Sequence, residues 1–290
     1  MLYYAMKALS WLLCVLPDAA GRLLGQGIGE LTWFLVPKKR KQMALANVQL
    51  CLQLSEEAAT AVVRKSWTRF GTMVTEVLRF PVIRKNMEHY IEVRGIENLK
   101  QAQSFGHGGI IATAHSGNWE LLGGALAHLG LPVVGVAQKQ KNPAFDRLIN
   151  EYRTLIGMQI MYKSGVKDMF VKLGEGFFIG LLMDQDAGRD GILLDFFGRE
   201  TSCVQGPASL ARYKEAPILP VFISQAEDGH HILHIHPPFF VEKSSDKKAD
   251  IAQTTERLNR LIEEHIRSYP EEWFWMHDRW KSVSGKKRKG

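Results

Sequence analysis

Short apolar segments alternate with segments of helical hydrophobic spacing from about residue 110 to residue 223. Each apolar segment has about five to seven residues, the length of a buried β-strand rather than of a buried helix. Strands that alternate with helices are typical of a parallel sheet, because a helix returns the chain to the start of the next strand. The sequence therefore predicts an α/β fold, with a mostly parallel central sheet and helices on both faces. The predicted strands are residues 110–114, 132–137, 158–162, 177–183 and 218–223, with a short edge strand at 91–93.

The composition fits one large domain, or one domain with an appendage. The 290 residues are 46% hydrophobic and 23% charged, an ordinary balance for a protein with a sizeable core. Cys14, Cys51 and Cys203 lack the spacing of a zinc site or of a disulfide framework, so no metal is predicted and a reducing compartment is indicated. The net charge of +7 suits anionic lipid or an acidic protein partner. Nucleic acid is not an expected partner, because no nucleic-acid-binding module is recognisable.

Residues 1–16 are apolar except for Lys7 and Ser10, and apolar residues at helical spacing follow as far as a basic run. Residues 1–16 are fewer than the roughly 20 that a spanning helix needs. Trp33 and Phe34 precede the basic run at 38–41, an order that suits the cytoplasmic interface of a membrane. A helical hairpin or monotopic anchor is the interpretation, and an amphipathic pair packed on the core is the alternative. The predicted divisions are N-terminal membrane-associated helices at 1–36, an α/β domain at 37–285 and a basic tail at 286–290.

One corner between a predicted strand and the next helix carries groups suited to acid–base chemistry. The strand at 110–114 runs into His115, and Glu120 lies in the first turn or two of the following helix. A carboxylate on one imidazole nitrogen fixes the tautomer and makes the other nitrogen a better base, so Glu120 is expected to turn back towards His115. Ser116 or Asn118 is expected to cap the helix. The simpler alternative is a capped helix start with a histidine that is satisfied internally.

A second polar group follows the strand at 132–137. Lys139 lies in the loop after that strand and Arg153 in the next helix, and ligands of α/β sheets bind beyond the carboxyl ends of the strands. A guanidinium can hold a phosphate or an oxyanion bidentately. For Arg153 the alternative is a surface ion pair with Asp146 or Glu151.

A third group comes directly after the strand at 177–183. Asp184 and Asp186 have a spacing that resembles divalent-metal sites. The same two carboxylates could orient a sugar hydroxyl or the imidazole of His115. A capped turn is the simplest alternative.

Taken in order, these motifs resemble the late acyltransferases of bacterial lipid A biosynthesis. The resemblance includes the His-x-x-x-x-Glu pattern of residues 115–120 and covers about residues 38–281. The ordered set is far more specific than the histidine–acid pair alone. Its other blocks are Asn142-Pro143 with Arg153, the Asp-x-Asp-x-Gly pattern at 184–188, Phe196-Phe197-Gly198, Gly206-Pro207, the proline-bracketed strand at 217–220 and the Pro-Glu-x-aromatic-x-Trp segment within 270–281.

The resemblance implies an O-acyltransferase without a cofactor. An acyl carrier protein would bring the acyl group as a thioester, and a lipid A precursor or related glycolipid would accept it on a hydroxyl. The implied place is the cytoplasmic face of the bacterial inner membrane. The carrier protein is acidic, so the basic surface of this chain would help to steer it.

The resemblance also implies roles for single residues. His115 would take the proton from the acceptor hydroxyl, and Glu120 would hold its tautomer and stabilise the imidazolium. The Asp-x-Asp-x-Gly pattern favours a wall of the active site over a metal. The remaining candidates are Asn118, Lys139 and Arg153 for the oxyanion and the acceptor phosphates, and Asp184 and Asp186 for that wall.

Two alternatives remain. The acceptor could be a lysophospholipid or a mannosylated phosphoinositide, with acyl-CoA as the donor. The chain could also be a non-catalytic protein that binds a membrane surface, in which case the histidine–acid pair would serve stability.

Overall fold

A seven-stranded sheet forms the centre of the computed structural model, which describes residues 1–163 and 165–284. The basic tail predicted at 286–290 lies outside the described residues. The described residues contain nine strands, of which β6 and β7 form a separate two-stranded sheet. The nine are β1 (Ile91–Arg94), β2 (Ile110–Thr113), β3 (Val133–Ala137), β4 (Gln159–Tyr162), β5 (Phe178–Leu182), β6 (Ile192–Phe196), β7 (Arg199–Cys203), β8 (Ile218–Gln225) and β9 (His231–Ile235).

The order of strands across the sheet is β1-β9-β8-β2-β5-β3-β4. Strands β8, β2, β5, β3 and β4 run parallel to one another, β9 is antiparallel to β8, and β1 is parallel to β9. The prediction of a mostly parallel sheet is confirmed, including its edge strand β1. The antiparallel hairpin of β6 and β7 was not predicted. Strand β7 reads Arg-Glu-Thr-Ser-Cys and so lacks the apolar run that marks a strand in sequence.

Helices cover both faces of the sheet, as predicted. Ile110 and Ala112 of β2 belong to one core cluster, and Ile111 belongs to the other, because successive side chains of a strand point to opposite faces. The helices are α1 (Leu2–Val15), α2 (Asp18–Trp33), α3 (Lys38–Leu52), α4 (Glu56–Leu78), α5 (Phe80–Ile83), α6 (Ile96–Ser104), α7 (Trp119–His128), α8 (Pro143–Leu155), α9 (Val166–Gly174), α10 (Gly206–Lys214) and α11 (Lys247–Ser268).

Helix α2 packs on α4 through a row of glycines. Gly21, Gly25 and Gly29 are the buried residues of α2. A Cβ atom at Gly29 would lie 2.7 Å from the Cα atom of Thr68, and one at Gly71 would lie 2.8 Å from the carbonyl oxygen of Gly25. The two backbones therefore approach more closely than side chains would allow.

The opposite side of α2 is apolar and exposed. Its large apolar side chains point away from the protein, whereas the side that faces the core is lined by glycine. In the described residues, no helix combines the length and the hydropathy needed to cross a membrane. The exposed apolar side chains of α2 and the turn after it are Leu23, Leu24, Ile28, Leu31, Phe34 and Leu35.

We expect Gly29→Ala to destabilise the protein by about 1–3 kcal/mol, because the new methyl group must push the α2 and α4 backbones apart. Gly27→Ala on the same helix is the matched control, since a Cβ there meets no atom within 4 Å. That control should be neutral or stabilising by up to about 1 kcal/mol, because alanine is the better helix former. Thermal unfolding followed by circular dichroism measures both; equal melting temperatures would contradict the close packing.

Candidate active site

His115 and Asp184 lie together because they follow neighbouring parallel strands. Thr113 at the end of β2 is paired in register with Leu182 at the end of β5. Each of the two site residues comes two positions after its strand end. The carboxyl ends of parallel strands meet at one edge of the sheet, which is where α/β proteins place their ligands.

The carboxylate of Asp184 accepts three hydrogen bonds. The Nδ1–H of His115 donates to Oδ1 at 2.9 Å, and the backbone N–H of His115 donates to Oδ2 at 3.0 Å. The Nε1–H of Trp273 also donates to Oδ2, at 2.7 Å. Burial alone would raise the pKa of Asp184, but the charge and hydrogen bond of His115, together with Trp273, hold that pKa below its usual value. Asp184 is therefore an ionised carboxylate at neutral pH.

This arrangement sets the tautomer of His115. With its proton on Nδ1, facing Asp184, the imidazole keeps Nε2 as its basic nitrogen. The side chain of His115 is 22% exposed, whereas that of Asp184 is 2% exposed. The edge of the Trp119 ring packs on the imidazole, with the ring centroids 5.1 Å apart. The site can therefore remove a proton from a group that approaches His115 from solvent.

Glu120 binds Arg153 and does not orient His115, so that prediction is wrong. The Nε–H of Arg153 donates to one carboxylate oxygen at 2.7 Å, and its Nη2 donates to the other at 2.6 Å. Glu120 is buried at the start of α7, where its side chain faces α8. Burial would lower the pKa of Arg153, but the hydrogen bond and charge of Glu120 raise it. The surface ion pair considered for Arg153 is wrong as well, since its partner is this buried carboxylate.

Asn118 caps helix α7, as predicted. Its Oδ1 accepts from the backbone N–H of Leu121 at 2.9 Å. Its amide nitrogen, which was expected to face substrate, donates to Oε2 of buried Glu76 at 2.8 Å. Nε2 of His231 contacts the other oxygen of Glu76 at 3.0 Å. Burial would lower the pKa of His231, but Glu76 raises it, so the two form a buried ion pair behind the corner.

Asp186 fixes the chain next to the site. Its carboxylate accepts from the backbone N–H groups of Gly188 and Ser282, both at 2.7 Å. Its own N–H donates to Nε2 of His277 at 3.2 Å. The side chain of Asp186 therefore holds the chain at Ser282 in place. Asp184 is the carboxylate of this pattern that contacts His115. Lys139 is exposed in the loop after β3.

The segment after α11 clamps the corner from the other side. The N–H of Phe274 donates to the carbonyl oxygen of His115, and the N–H of Gly117 donates to the carbonyl oxygen of Glu272, both at 3.0 Å. Trp273, between the two, is the indole that binds Asp184. The aromatic segment at 270–281 is recognisable in the sequence, but nothing in the sequence assigns Trp273 to the carboxylate that binds His115.

Ser116 is buried and turned away from the open side of the site. Its hydroxyl lies 3.1 Å from Nε2 of His265 on α11. Burial, followed by the nearby His234 and His236, lowers the pKa of His265 to about 3, so this histidine is neutral. Ser116 as a whole is 2% exposed, so its hydroxyl is poorly placed to attack a substrate. In the part of the chain that the structure describes, no three His, Cys, Asp or Glu side chains come together as a metal site.

Comparisons with known proteins identify the family of the chain. The chain is 28% identical to the phosphatidylinositol mannoside acyltransferase of Mycolicibacterium smegmatis, over 76% of this chain and 72% of that protein. It is 27% identical to the lipid A biosynthesis lauroyltransferase of Escherichia coli, over 94% and 89% of the two chains. A crystal structure of the 1-acyl-sn-glycerophosphate acyltransferase of Thermotoga maritima superposes with a TM-score of 0.40 and 16% identity, over 82% of this chain and 96% of that one. Residues 1–282 match the family described as bacterial lipid A biosynthesis acyltransferase. The chain therefore belongs to that family and is an acyltransferase.

Proposed function

We propose that the protein transfers a fatty acyl chain from an acyl carrier protein thioester to a hydroxyl of a membrane glycolipid, with a lipid A precursor as the acceptor. The observation that carries the chemistry is the contact of His115 with Asp184 at the carboxyl ends of β2 and β5. Two relatives support a glycolipid as acceptor, because one is named a phosphatidylinositol mannoside acyltransferase and the other a lipid A biosynthesis lauroyltransferase. The net charge of +7 supports an acidic carrier as donor.

The proposed reaction has one proton path. Nε2 of His115 takes the proton from the acceptor hydroxyl while the hydroxyl oxygen attacks the thioester carbonyl. Asp184 stabilises the imidazolium that forms. The tetrahedral intermediate collapses, the C–S bond breaks, and the thiolate of the carrier takes the proton back from His115. Ester and free thiol are the products, and burial of Ser116 argues for direct transfer without an acyl-enzyme.

The other candidate residues take supporting roles in this proposal. The Glu120–Arg153 pair joins the start of α7 to α8 and so fixes the helix that follows His115. Because the charge of Arg153 is matched by Glu120, the exposed Lys139 is the better candidate for an acceptor phosphate. Asn118 and Asp186 hold the two loops that form the site.

We propose that the exposed apolar side of α1 and α2 rests on the cytoplasmic face of the inner membrane. Monomeric proteins rarely expose a large contiguous apolar surface unless it binds something. The basic residues at 38–41 start α3 directly beside it, where anionic headgroups would lie. The exposed apolar side chains of α1 are Leu2, Tyr4, Leu9, Trp11, Leu12 and Val15.

Membrane binding should depend on this surface. We expect the double variant Leu31→Glu/Leu35→Glu to bind vesicles of anionic phospholipid at least about tenfold more weakly than the unaltered protein, because each leucine contributes roughly 1.5–3 kcal/mol when buried. The matched control is Val171→Glu/Leu193→Glu, whose side chains are exposed elsewhere on the protein. Co-sedimentation measures the binding, and equal losses in both double variants would contradict the proposed surface.

The reaction itself is tested with purified protein in detergent. Labelled thioesters of acyl carrier protein and of CoA are offered separately, with a tetra-acylated lipid A precursor, a mannosylated phosphatidylinositol or a lysophospholipid as acceptor. We expect the fastest transfer from the carrier protein to the lipid A precursor. Transfer only to the mannosylated lipid would replace the acceptor, faster transfer from CoA would replace the donor, and no transfer to any of the three would contradict the proposed reaction.

A further inference from the structure

A row of half-buried aromatic rings starts at His115 and leads away from it across the protein. The Trp119 ring lies 5.1 Å from the imidazole, centroid to centroid. Phe70 of α4 stacks on Trp119 at 6.3 Å, and Trp67, one turn earlier on α4, lies 5.7 Å from Phe70. Phe274 packs beside Phe70 at 5.0 Å. We call the rings of Trp119, Phe70, Phe274 and Trp67 the aromatic row.

The far end of the row reaches the apolar surface of α2. The Nε1–H of Trp67 donates to Oγ1 of Thr32 at 3.1 Å, which fixes the indole against the last turn of α2. The next residue, Trp33, lies under the ammonium group of Lys41 at 4.4 Å from its ring centroid. Phe34 and Leu35 follow and are exposed. The row therefore connects the catalytic histidine to the surface that we propose to face lipid.

The rings of α4 combine contact with the protein and partial exposure. Trp67 and Phe70 are both half-buried, and Trp67 packs in part against the core. A small cavity opens beside Phe70, Trp119 and Phe274. Its deeper wall carries Arg69, which lies 3.1 Å from Glu272, and the paired Glu76 and His231. An apolar ligand would therefore lie along the rings and not against that deeper, charged wall.

We propose that the aromatic row binds the hydrocarbon chain of the acyl donor and sets the preference for its length. This inference rests on the proposed function. In the attack described above, the thioester carbonyl must lie beside Nε2 of His115, and the acyl chain leaves directly from that carbonyl carbon. Its first methylene groups therefore meet Trp119, the ring that touches the imidazole. Later methylene groups pass Phe70, and Trp67 contacts those near the end of a long chain.

The test is a series of acyl carrier protein thioesters from octanoyl to stearoyl, with one acceptor. We expect Phe70→Ala and Trp67→Ala to lower kcat/KM by a factor that grows with chain length, because each buried methylene is worth about fourfold in binding. Octanoyl transfer should stay within about twofold of the unaltered protein, and the loss for long chains should exceed about tenfold. Phe70→Leu keeps most of the side-chain volume and serves to show that folding is retained. Its kcat/KM for long chains should lie between that of the unaltered protein and that of Phe70→Ala.

The matched control is Phe240→Ala. Phe240 is 40% exposed and forms an edge-to-face pair with Phe105 at 4.8 Å. It follows Phe239, which pairs with the first residue of β8, at the end of the strands opposite His115. This control should leave the preference for chain length unchanged.

Two kinetic results would overturn the proposal. One is an equal loss at every chain length, which a merely structural role would give. The other is a raised KM for the acceptor with unchanged donor preference, which would assign the row to the acceptor's own chains. Binding of free saturated fatty acids is measured in parallel by titration calorimetry. If the unaltered protein transfers nothing, the proposed function fails, but the calorimetry still tests whether the aromatic row binds an acyl chain. Equal fatty-acid binding by Phe70→Ala and the unaltered protein would refute that role of the row.

Discussion

The His115→Ala variant should lose acyl transfer by at least about 10²–10⁴-fold in kcat, the contribution that a positioned general base usually makes. The substitution removes Nε2, the nitrogen that Asp184 leaves free to accept a proton. The backbone N–H of residue 115 and the Nε1–H of Trp273 still donate to Asp184, so the corner keeps two of its three hydrogen bonds. The loss should therefore come mainly from chemistry and not from unfolding.

His128→Ala is the matched control for this variant. His128 also contacts a carboxylate, with Nε2 2.8 Å from Glu88, but it lies at the exposed end of α7. Its removal should leave kcat within about twofold, because exposed ion pairs contribute little. Both variants are assayed at equal folded concentration, verified by circular dichroism. A His115→Ala protein that keeps more than a tenth of the rate would refute the proposed base.

The order of strands and helices could be predicted because it depends on local patterns. The buried strand β2 reads Ile-Ile-Ala-Thr and ends at a polar corner, and β5 repeats the arrangement. Each of these runs is short, apolar and followed by helical spacing, so the fold class follows from the sequence. The β6–β7 hairpin was missed because its second strand is polar.

The histidine could be found in the sequence, but its carboxylate could not be assigned. Glu120 is five residues from His115, whereas Asp184 is 69 residues away. The contact exists because β2 and β5 are neighbours, and the sequence did not give the order of strands in the sheet. A useful signal was present, since both residues directly follow apolar strands. Had β2 and β5 been placed side by side, Asp184 would have been the expected partner.

The N-terminal helices show a different limit of sequence patterns. Periodicity identifies the apolar face of α2, and an apolar face usually packs inward. Here the inward face consists of Gly21, Gly25 and Gly29, and the leucines point outward. Glycine carries no hydrophobic side chain, so a sequence pattern does not reveal that these glycines form the packing face of α2. The structure reveals it, because Gly71 of α4 lies directly against Gly25 and Gly29. A membrane-associated segment would place those leucines outward, and a pair packed on the core would place them inward. The leucines are exposed, yet both helices also pack on the protein, α2 on α4 and α1 on α8.

The variants Asp184→Asn and Glu120→Gln test which of these two carboxylates orients His115. Asp184 accepts from three N–H groups, and an asparagine in its place offers one oxygen and a donating NH₂ group. If the NH₂ group faces His115, Nδ1 must accept its hydrogen bond, and the imidazole then carries its own proton on Nε2. A protonated Nε2 of the neutral imidazole cannot act as the base. We expect kcat to fall by about 10²–10⁴-fold, as the equivalent change does in the triad of serine proteases.

The pKa of Asp184 adds a signature in pH to this comparison. Because the folded-state pKa is lowered, ionised Asp184 stabilises the fold at pH values above its unfolded pKa, and that contribution is lost as the pH falls through the folded value. Asp184→Asn removes the titrating group. The melting temperature of the variant should therefore fall less steeply than that of the unaltered protein as the pH is lowered from 5 to 3, roughly the range in which a carboxyl titrates.

Glu120→Gln should act on stability and little on the chemical step. It removes the charge that pairs with Arg153, whose side chain is 14% exposed, and breaking a buried pair costs about 3 kcal/mol or more. His115 and Asp184 keep their contacts, so kcat of the folded fraction should stay within about tenfold. Rates and melting temperatures of the two variants, measured side by side, decide the assignment. A large loss of kcat in Glu120→Gln with a nearly unchanged rate in Asp184→Asn would return the orienting role to Glu120, because the carboxylate that holds the imidazole is the one whose neutralisation stops proton transfer.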